Sequence, residues 1–264
     1  GCNTAESIHT MVEAKKLSFA DREKYMADPR WVDIPLNGLL SKAYAAKQTE
    51  RIDPNRALTD IPAGSPESAE DTTCFCVADR WGNAVCVLQS IQSGFGSSLI
   101  AGNTGILLNN RMTYWHLDAD HPNCLMPRKR VRHTMNPVIV TKDNKPILVC
   151  GTPGADTQVQ TNLQLITHIL DFGMTPQEAV EAPRWRNLQN PMESTVPHTC
   201  PDVLQLEGRF PVDVREGLAQ KGHDLQILGD WGGPGSAQAI LIDPDSKALI
   251  GGSDPRRDGY AVGW

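Results

Sequence analysis

Two adjacent threonines, Thr72 and Thr73, lie at the start of a strand-like run that reads DTTCFCVADRWGNAVC. A threonine hydroxyl is a poor nucleophile unless a base lies beside it. Such a base becomes available if the preceding peptide bond is cut, because the residue then carries its own α-amine. The pKa of an α-amine, about 7.7 to 8.0, suits proton transfer near neutral pH. Threonine is also common at the start of ordinary strands, so the pair alone does not distinguish a nucleophile from a structural residue.

The segment before the threonine pair has the composition of an exposed linker. Residues 53–71 read DPNRALTDIPAGSPESAED, in which Pro and Gly turn signals are frequent and apolar residues are few. A flexible linker that ends at a strand-initiating threonine is what self-cleavage would require. We therefore predict a boundary between Asp71 and Thr72, which divides the chain into 1–71 and 72–264.

Apolar spacing predicts both helices and hairpins in this chain, which favours an α+β fold with layered sheets and helices outside. Helices are expected at 14–25, 36–46 and 156–171, after a capping box that begins at Thr175, and at 212–220. Three hairpins are expected, in which 73–78 pairs with 84–88, 138–141 with 147–150, and 237–242 with 248–250.

The composition argues against several classes of partner. The formal net charge is −6, which gives no electrostatic reason to bind a phosphate backbone, so no nucleic-acid partner is expected. No apolar run approaches the roughly 20 residues of a membrane-spanning helix, so no membrane partner is expected. The basic run at 128–132 has two interpretations, a solvated loop, which is favoured, and an anionic ligand site.

The seven cysteines are an odd number and show neither CxxC pairs nor His-rich zinc spacing, so no metal site is expected. Four of them lie in apolar strand-like runs, where a free cysteine behaves as a small buried hydrophobe. These four are Cys74, Cys76, Cys86 and Cys150. Free thiols indicate a reducing compartment, and a cytoplasmic location is expected.

A series of ordered motifs along the chain carries a resemblance to a known family. The motifs are Thr72-Thr73, Val77-Ala78-Asp79 with Gly82-Asn83-Ala84-Val85, Phe95-Gly96, the run GILLNNRM from Gly105 to Met112, Arg130 with Met135-Asn136-Pro137, Gly151-Thr152-Pro153-Gly154, Asp171-Phe172-Gly173-Met174, Ala182-Pro183-Arg184 and Ser253-Asp254-Pro255-Arg256. By these motifs the sequence resembles the γ-glutamyltransferase family of N-terminal-nucleophile (Ntn) hydrolases over essentially its whole length.

That resemblance implies the four-layer αββα sandwich of the Ntn hydrolases and a precursor, or zymogen, that cuts itself into two subunits. On this basis 1–71 is the C-terminal part of the large subunit, and 72–264 is the small, catalytic subunit. The partner is then the large subunit of the same precursor, no cofactor is required, and the product is a heterodimer at minimum. The resemblance leaves open whether two of these pair as a dimer of heterodimers.

The resemblance also implies roles for individual positions. By the resemblance, the cleavage site lies between Asp71 and Thr72, and Thr72 is the nucleophile that cleavage frees. Ser90 stands where the family has a second threonine whose hydroxyl supports the nucleophile, and Gln92 stands where the family has an asparagine near the substrate. Gly154 and Ala155 occupy the place of a Gly-Gly pair whose backbone N–H groups form the oxyanion hole.

Four positions depart from the glutamyl-transferring members and decide the expected substrate. Arg111 and Tyr114 replace a Gln or Glu and an Asp that hold the α-amino group, and a cation cannot bind an ammonium group. His133 and Thr134 replace two serines that hold the α-carboxylate. Arg111 therefore argues for a small anionic amide, with oxamate as the first candidate, since guanidinium binds carboxylates in bidentate fashion. The other interpretation of Arg111 is a salt bridge to a protein carboxylate.

Other functions stay open at this point. Within the family, cephalosporin acylases also lack the glutamyl pocket, and glutathione hydrolase or γ-glutamyltransferase activity is a further alternative. The Gly-rich stretches GTPGAD at 151–156 and GGPGS at 232–236 suggest a nucleotide-binding module, although neither has the spacing and lysine of a P-loop. An interaction protein with a decayed active site is the second non-enzymatic alternative.

Overall fold

The computed structural model describes residues 1–59, 70–188 and 202–264, so that most of the predicted linker lies outside the described residues. The helices are α1 (Ala5–Tyr25), α2 (Leu36–Leu39), α3 (Lys42–Thr49), α4 (Thr157–Ile166), α5 (Pro176–Glu181) and α6 (Val212–Gln220). The strands are β1 (Glu70–Ala78), β2 (Ala84–Ser93), β3 (Val138–Lys142), β4 (Lys145–Gly151), β5 (Trp185–Asn187), β6 (Val203–Glu207), β7 (Asp224–Leu228), β8 (Gln238–Ile242) and β9 (Leu249–Ser253). A 3₁₀ turn lies at Arg111–Tyr114, and a π-helical turn at Thr167–Asp171 extends α4.

Two sheets face each other and form the body that carries the candidate site. The antiparallel hairpin β1–β2 packs on one face of a four-stranded sheet with the strand order β3-β4-β8-β9. Helices α4 and α5 pack on the other face, where Leu148 and Cys150 of β4 share a hydrophobic core with Leu165 and Val180. The α+β prediction is therefore confirmed, with two facing sheets and one helical layer within the described residues.

The three predicted hairpins are confirmed by the strand pairing. β1 pairs with β2, β3 with β4, and β8 with β9, and all three pairs are antiparallel. The second turn shows why such hairpins can be predicted. Asp143 and Asn144 have φ values of 51° and 60° there, a conformation that Asp and Asn adopt more readily than most residues.

A second hydrophobic core, which joins α1 to elements between residues 185 and 228, was not predicted from the sequence. It lies between helices α1 and α6 and a three-stranded sheet with the order β5-β6-β7. Ile8 of α1 is buried there with Trp185 and Leu206. β5 is three residues long, too short for a periodic pattern, and β6 places Gln205 and Glu207 inside the protein, where polar residues are uncommon.

Two N-terminal helices differ in extent from the sequence prediction. α1 begins earlier than predicted, because the Thr4 hydroxyl caps its first turn by accepting a backbone N–H at 3.3 Å. The helix predicted at 36–46 is interrupted, because Ser41 caps a new helix, α3, in the same way. The capping box predicted at Thr175 is confirmed. None of the helices described here is both long enough and apolar enough to cross a membrane.

The basic run at 128–132 is held by carboxylates of the protein itself. Arg130 pairs with Asp28 at 3.1 Å, and Arg132 pairs with Glu23 at 2.8 Å. Arg132 is also buried. The solvated-loop interpretation is therefore wrong for this residue, and the run attaches its loop to α1 and to the turn that follows α1.

A buried charge network attaches the loop that contains GGPGS to the sandwich. Arg184 pairs with Asp254, and Arg256 pairs with Glu207, each at 2.6 Å, and all four side chains are almost fully buried. Glu207 also accepts the Gly233 N–H at 2.9 Å. Because this N–H already binds a carboxylate of the protein, it is not available to a phosphate, and this loop does not support the nucleotide-binding alternative.

Two buried histidines predict that stability depends on pH. Burial lowers the pKa of His168 and of His223 to about 4, from an ordinary value of about 6.5. As the pH falls below 6.5, the unfolded chain takes up a proton at each histidine before the folded chain does. The stabilisation is therefore complete above pH 6.5 and is lost as the pH falls towards 4. We expect the free energy of unfolding to fall by roughly 2 kcal/mol per histidine between pH 7 and pH 5.

Urea denaturation at pH 7 and pH 5 measures this loss. The variant His168→Gln removes one of the two titrating groups, so its free energy of unfolding should change less between the two pH values than that of the wild type. A wild-type protein that is equally stable at pH 7 and pH 5 would contradict the prediction.

Candidate active site

The Thr72 hydroxyl faces the Ser90 hydroxyl across the β1–β2 hairpin. The two residues are opposite each other in the strand register, and Thr72 Oγ1 donates to Ser90 Oγ at 2.9 Å. Successive side chains of a strand point to opposite faces, and Thr73 accordingly lies on the other, exposed face of the hairpin. Thr72 is therefore the threonine of the pair that faces the interior.

The predicted cleavage site coincides with an irregularity in the hairpin. β1 begins at Glu70, so Thr72 is the third residue of the strand in the uncut chain rather than its first. The pairing register shifts between Asp71 and Thr72. Bulges disrupt the hydrogen-bond ladder locally and are frequent beside active sites. The peptide bond that self-cleavage would break therefore lies at a point where the regular ladder is interrupted.

Ser90 is held in place by two further donors. Its Oγ accepts the Gln92 N–H at 2.9 Å and Arg111 Nη2 at 3.3 Å. Gln92 is buried and has a φ of 80°, which is rare for a residue with a side chain. Backbone strain of this kind persists only where the surrounding structure enforces it, and it is frequent at functional sites. These contacts fix Ser90 and, through it, the Thr72 hydroxyl.

The Arg111 guanidinium lies beside this hydroxyl pair. Its Nη1 donates to Thr134 Oγ1 at 3.0 Å, and its carbon lies 5.3 Å from the centre of the Tyr114 ring. Arg111 is only 7% exposed, and no carboxylate among the described side chains lies within salt-bridge distance of it. Burial lowers the pKa of Arg111, but a guanidinium stays protonated in proteins. The described residues therefore do not support the salt-bridge interpretation of Arg111.

His133 and Thr134, the predicted replacements for a serine pair, are placed differently. Thr134 is buried against Arg111, whereas His133 is exposed and accepts the Met135 N–H at Nδ1. Partial burial, followed by the positive charge of Arg111, lowers the pKa of His133. A neutral imidazole with its proton on Nε2 therefore lies at the rim of the site near neutral pH.

Gly154 and Ala155 form a turn between β4 and α4. Their carbonyl groups accept the N–H groups of Thr157 and Gln158 at the start of α4. Within the described ranges, neither the Gly154 N–H nor the Ala155 N–H is donated to another group. Two adjacent free donors just before a helix have the form that an oxyanion hole requires.

The left-handed backbone of both residues provides a test of this assignment. φ is 130° for Gly154 and 39° for Ala155. We expect Gly154→Ala to lower turnover by about 10²–10³-fold, because a Cβ at this φ forces the peptide to rotate and misplaces an N–H donor. Steady-state kinetics on the folded variant measures the loss.

Ala155→Gly is the matched control for this test. Glycine adopts a positive φ without steric cost, so this variant should keep its turnover and gain about 1 kcal/mol of stability in thermal denaturation. Proline would delete the N–H directly but cannot adopt the φ of Ala155. Unchanged turnover in folded Gly154→Ala would exclude this turn as the oxyanion hole.

An ion pair that sequence reasoning missed holds the start of α4. Arg22 of α1 donates to both carboxylate oxygens of Asp156, with Nη2 and Oδ2 at 3.1 Å. Burial opposes ionisation of Asp156, but the charge and hydrogen bonds of Arg22 outweigh it and hold the pKa of Asp156 below its usual range. No local signal could reveal a pair whose members are 134 residues apart. The pair fixes the residue that follows Ala155 and connects α1 to the candidate site.

The stretch GTPGAD at 151–156 does not form a phosphate cradle. Thr152 Oγ1 accepts the Ser236 N–H at 3.2 Å, so the two Gly-rich stretches bind each other. The nucleotide-binding alternative is therefore not supported by either stretch.

Most of the predicted site residues come together in the structure. Hydrogen bonds link Thr72, Ser90, Gln92, Arg111 and Thr134 in one network. Tyr114 and His133 adjoin the network through Arg111. Asp156, which follows the Gly154–Ala155 turn, is close enough for its negative charge to offset part of the lowering of the Arg111 pKa by burial. The arrangement places one threonine hydroxyl and one buried cation side by side.

Facing sheets with a threonine hydroxyl on the inner side of a hairpin are consistent with the Ntn hydrolase class. The gamma-glutamyltranspeptidase family model matches residues 1–264, and the chain belongs to that family. The predicted resemblance is therefore confirmed.

Two curated proteins and one solved structure illustrate which proteins this chain is similar to. The chain is 42% identical over 262 residues to the glutathione hydrolase-like YwrD proenzyme of Bacillus subtilis (strain 168), covering 98% of this chain and 47% of that protein. It is 34% identical over 261 residues to the oxamate amidohydrolase proenzyme of Klebsiella pneumoniae subsp. pneumoniae, covering 98% and 48%. The crystal structure of cephalosporin acylase from Bacillus halodurans matches with a TM-score of 0.84 and 35% identity, covering 100% of this chain and 46% of that chain. The chain thus spans about half the length of the curated relatives it matches.

Proposed function

We propose that the full-length protein is an autoprocessing Ntn amidohydrolase that acts on a small amide bearing a carboxylate, with oxamate as the first candidate. The observation that carries the proposal is the buried Arg111 guanidinium beside the Thr72–Ser90 hydroxyl pair, bonded to hydroxyl groups. A substrate carboxylate would complete an ion pair with it in bidentate geometry. The similarity to an oxamate amidohydrolase proenzyme supports the same substrate class.

Thr72 would supply both the nucleophile and the base once its peptide bond is cut. The α-amine takes the Oγ1 proton as Oγ1 attacks the amide carbonyl, and the Gly154 and Ala155 N–H groups donate to the oxyanion. The amine then returns the proton to the leaving nitrogen, which departs from oxamate as ammonia. Water hydrolyses the resulting Thr72 ester with the same amine as base, and the acid is released.

Self-cleavage between Asp71 and Thr72 is part of this proposal. The register shift at this bond favours a local distortion, and the curated relatives described above are named proenzymes. Cleavage there would separate 1–71 from 72–264 and would free the α-amine on which the chemistry depends.

The outer face of the β1–β2 hairpin supports a protein partner. Phe75, Val77 and Val85 lie there and are 49%, 47% and 48% exposed. A cluster of exposed apolar side chains on a sheet marks an interface. Because the chain spans about half the length of its relatives, we assign this face to the large subunit of the same precursor, which would add the second helical layer of the αββα sandwich.

Glutathione hydrolase and acylase activities are the alternatives within the family. The 42% identical relative is named glutathione hydrolase-like, and a solved neighbour is a cephalosporin acylase. A γ-glutamyl substrate carries an ammonium group, which Arg111 would repel in a site of low dielectric constant. The position of Arg111 therefore favours the small anionic amide over the glutamyl substrate.

A hydrolysis panel on the full-length protein tests the proposal. Oxamate, a γ-glutamyl anilide and a cephalosporin are compared by kcat/KM, and we expect the γ-glutamyl anilide to be poorer than oxamate by at least about 10²-fold. Efficient γ-glutamyl transfer would overturn the substrate assignment. Intact-mass detection of a fragment that begins at Thr72 would exclude the non-enzymatic alternatives, because a binding module has no reason to cut itself.

A further inference from the structure

Three cysteine sulfurs converge between the two facing sheets. Cys74 and Cys76 lie on the inner face of β1, and Cys86 is directly opposite Cys76 on β2. The Sγ atoms of all three lie within 4.8 Å of one another, and those of Cys76 and Cys86 are 3.7 Å apart. The spacing along the chain did not predict a metal site, because Cys86 meets the other two cysteines only through the strand register of the hairpin. The three sulfurs form a triangle.

The size of the triangle matches a single ion held by three thiolates. A metal–sulfur bond is about 2.3 Å long, so three sulfurs in a trigonal plane around one ion lie about 4 Å apart. The observed separation of 3.7 Å and the limit of 4.8 Å bracket that value. Small rotations about the Cα–Cβ bonds would therefore bring the sulfurs to coordination distance without moving the strands.

No fourth cysteine among the described residues joins the three sulfurs. A Cβ at Gly151 would lie 2.8 Å from Cys74 Sγ and 2.9 Å from Cys86 Sγ, so the β4 backbone covers the triangle on one side. Cys150 is next to Gly151, but its side chain belongs to the core on the opposite face of β4, and only its carbonyl oxygen contacts Cys86. The described sulfurs thus provide three ligands and no fourth.

We propose that Cys74, Cys76 and Cys86 bind one Cu(I) ion in three-coordinate thiolate geometry. Soft sulfur ligands select Cu(I) and zinc among the common metals, and structural zinc requires four tetrahedral ligands. A set of three sulfurs without a fourth therefore favours Cu(I). Binding displaces the three thiol protons to water and joins β1 to β2 across the hairpin that also carries Thr72. The inference does not depend on the proposed function.

Anaerobic titration of the full-length protein tests the site. Cu(I) is supplied with a chromophoric chelator that competes for it, and we expect one ion per chain and an ultraviolet thiolate-to-copper absorption band. Cys74→Ser, Cys76→Ser and Cys86→Ser should each weaken binding by at least about 10²-fold. The melting temperature of the wild type should rise with Cu(I), because a ligand that binds only the folded state stabilises it.

Two controls keep the test specific to the triangle. Cys2→Ala removes a remote thiol, and Cys150→Ala removes the neighbouring thiol that faces away, so both should bind Cu(I) like the wild type. Melting without metal verifies that each variant is folded. Wild-type affinity in folded Cys76→Ser, or loss of the ion in folded Cys150→Ala, would overturn the proposal. Zinc that binds as tightly as Cu(I) in the same competition would overturn the choice of metal.

Discussion

The Thr72→Ala variant of the full-length protein is expected to remain a single uncut chain without amidase activity. The Thr72 hydroxyl would supply the attacking oxygen in both self-cleavage and turnover, so alanine removes both reactions. Loss of a catalytic nucleophile lowers kcat by as much as about 10⁶-fold in a well-characterised hydrolase. Intact-mass measurement reports the cleavage, and hydrolysis of oxamate reports the turnover.

Thr72→Ser and Thr73→Ala are the matched controls for this variant. Serine keeps a hydroxyl at the position opposite Ser90, so Thr72→Ser should still cut itself and retain activity. Thr73→Ala should behave like the wild type, because the Thr73 side chain is on the exposed face of the hairpin. Cleavage in Thr72→Ala, or a mature fragment that begins at Thr73, would show that the nucleophile is assigned to the wrong residue.

The Arg111→Gln variant is expected to lose most of its activity on oxamate. A buried substrate carboxylate that loses its charged partner typically costs roughly 2–5 kcal/mol, which corresponds to a fall in kcat/KM of about 30- to 5,000-fold. Glutamine retains two N–H donors but no charge, so the variant isolates the contribution of the cation. Steady-state kinetics on the processed enzyme measures the change.

Oxamide is the matched substrate for this experiment, because it replaces the carboxylate of oxamate with a neutral amide of nearly the same shape. Arg111→Gln should change oxamide turnover little if the cation binds the carboxylate. Since Arg111 also donates to Ser90 at 3.3 Å, a loss of positioning would slow oxamide turnover and self-cleavage to the same degree as oxamate turnover. Equal losses on both substrates would therefore refute the carboxylate assignment, and unchanged kinetics on oxamate would give Arg111 a purely structural role.

Local signals account for the parts of the fold that the sequence predicted. The hairpins were recognisable because their turns contain residues that tolerate positive φ, as Asp143 and Asn144 do. α5 was recognisable because its capping box needs only residues three apart. The β5-β6-β7 sheet escaped prediction because its middle strand is buried on both faces and carries Glu207 inside, where Arg209 and Arg256 neutralise it.

The sequence by itself determined the family, through motifs that keep their order along the chain, and it determined the two candidate threonines with the proline-rich segment before them. The family resemblance assigned the nucleophile to Thr72, but only the tertiary structure placed the Thr72 side chain on the inner face of the hairpin and Thr73 on the exposed face. The physical reason is that the two faces of a strand become different only when a second sheet packs against one of them. The surroundings of Arg111 and of the three cysteines were likewise decided only by the tertiary structure. Whether a guanidinium meets a carboxylate, and whether sulfurs at 74, 76 and 86 meet one another, depends on strand register and on contacts between distant segments. Spacing along the chain does not encode these contacts, because register and packing are set by all the residues that share the two sheets.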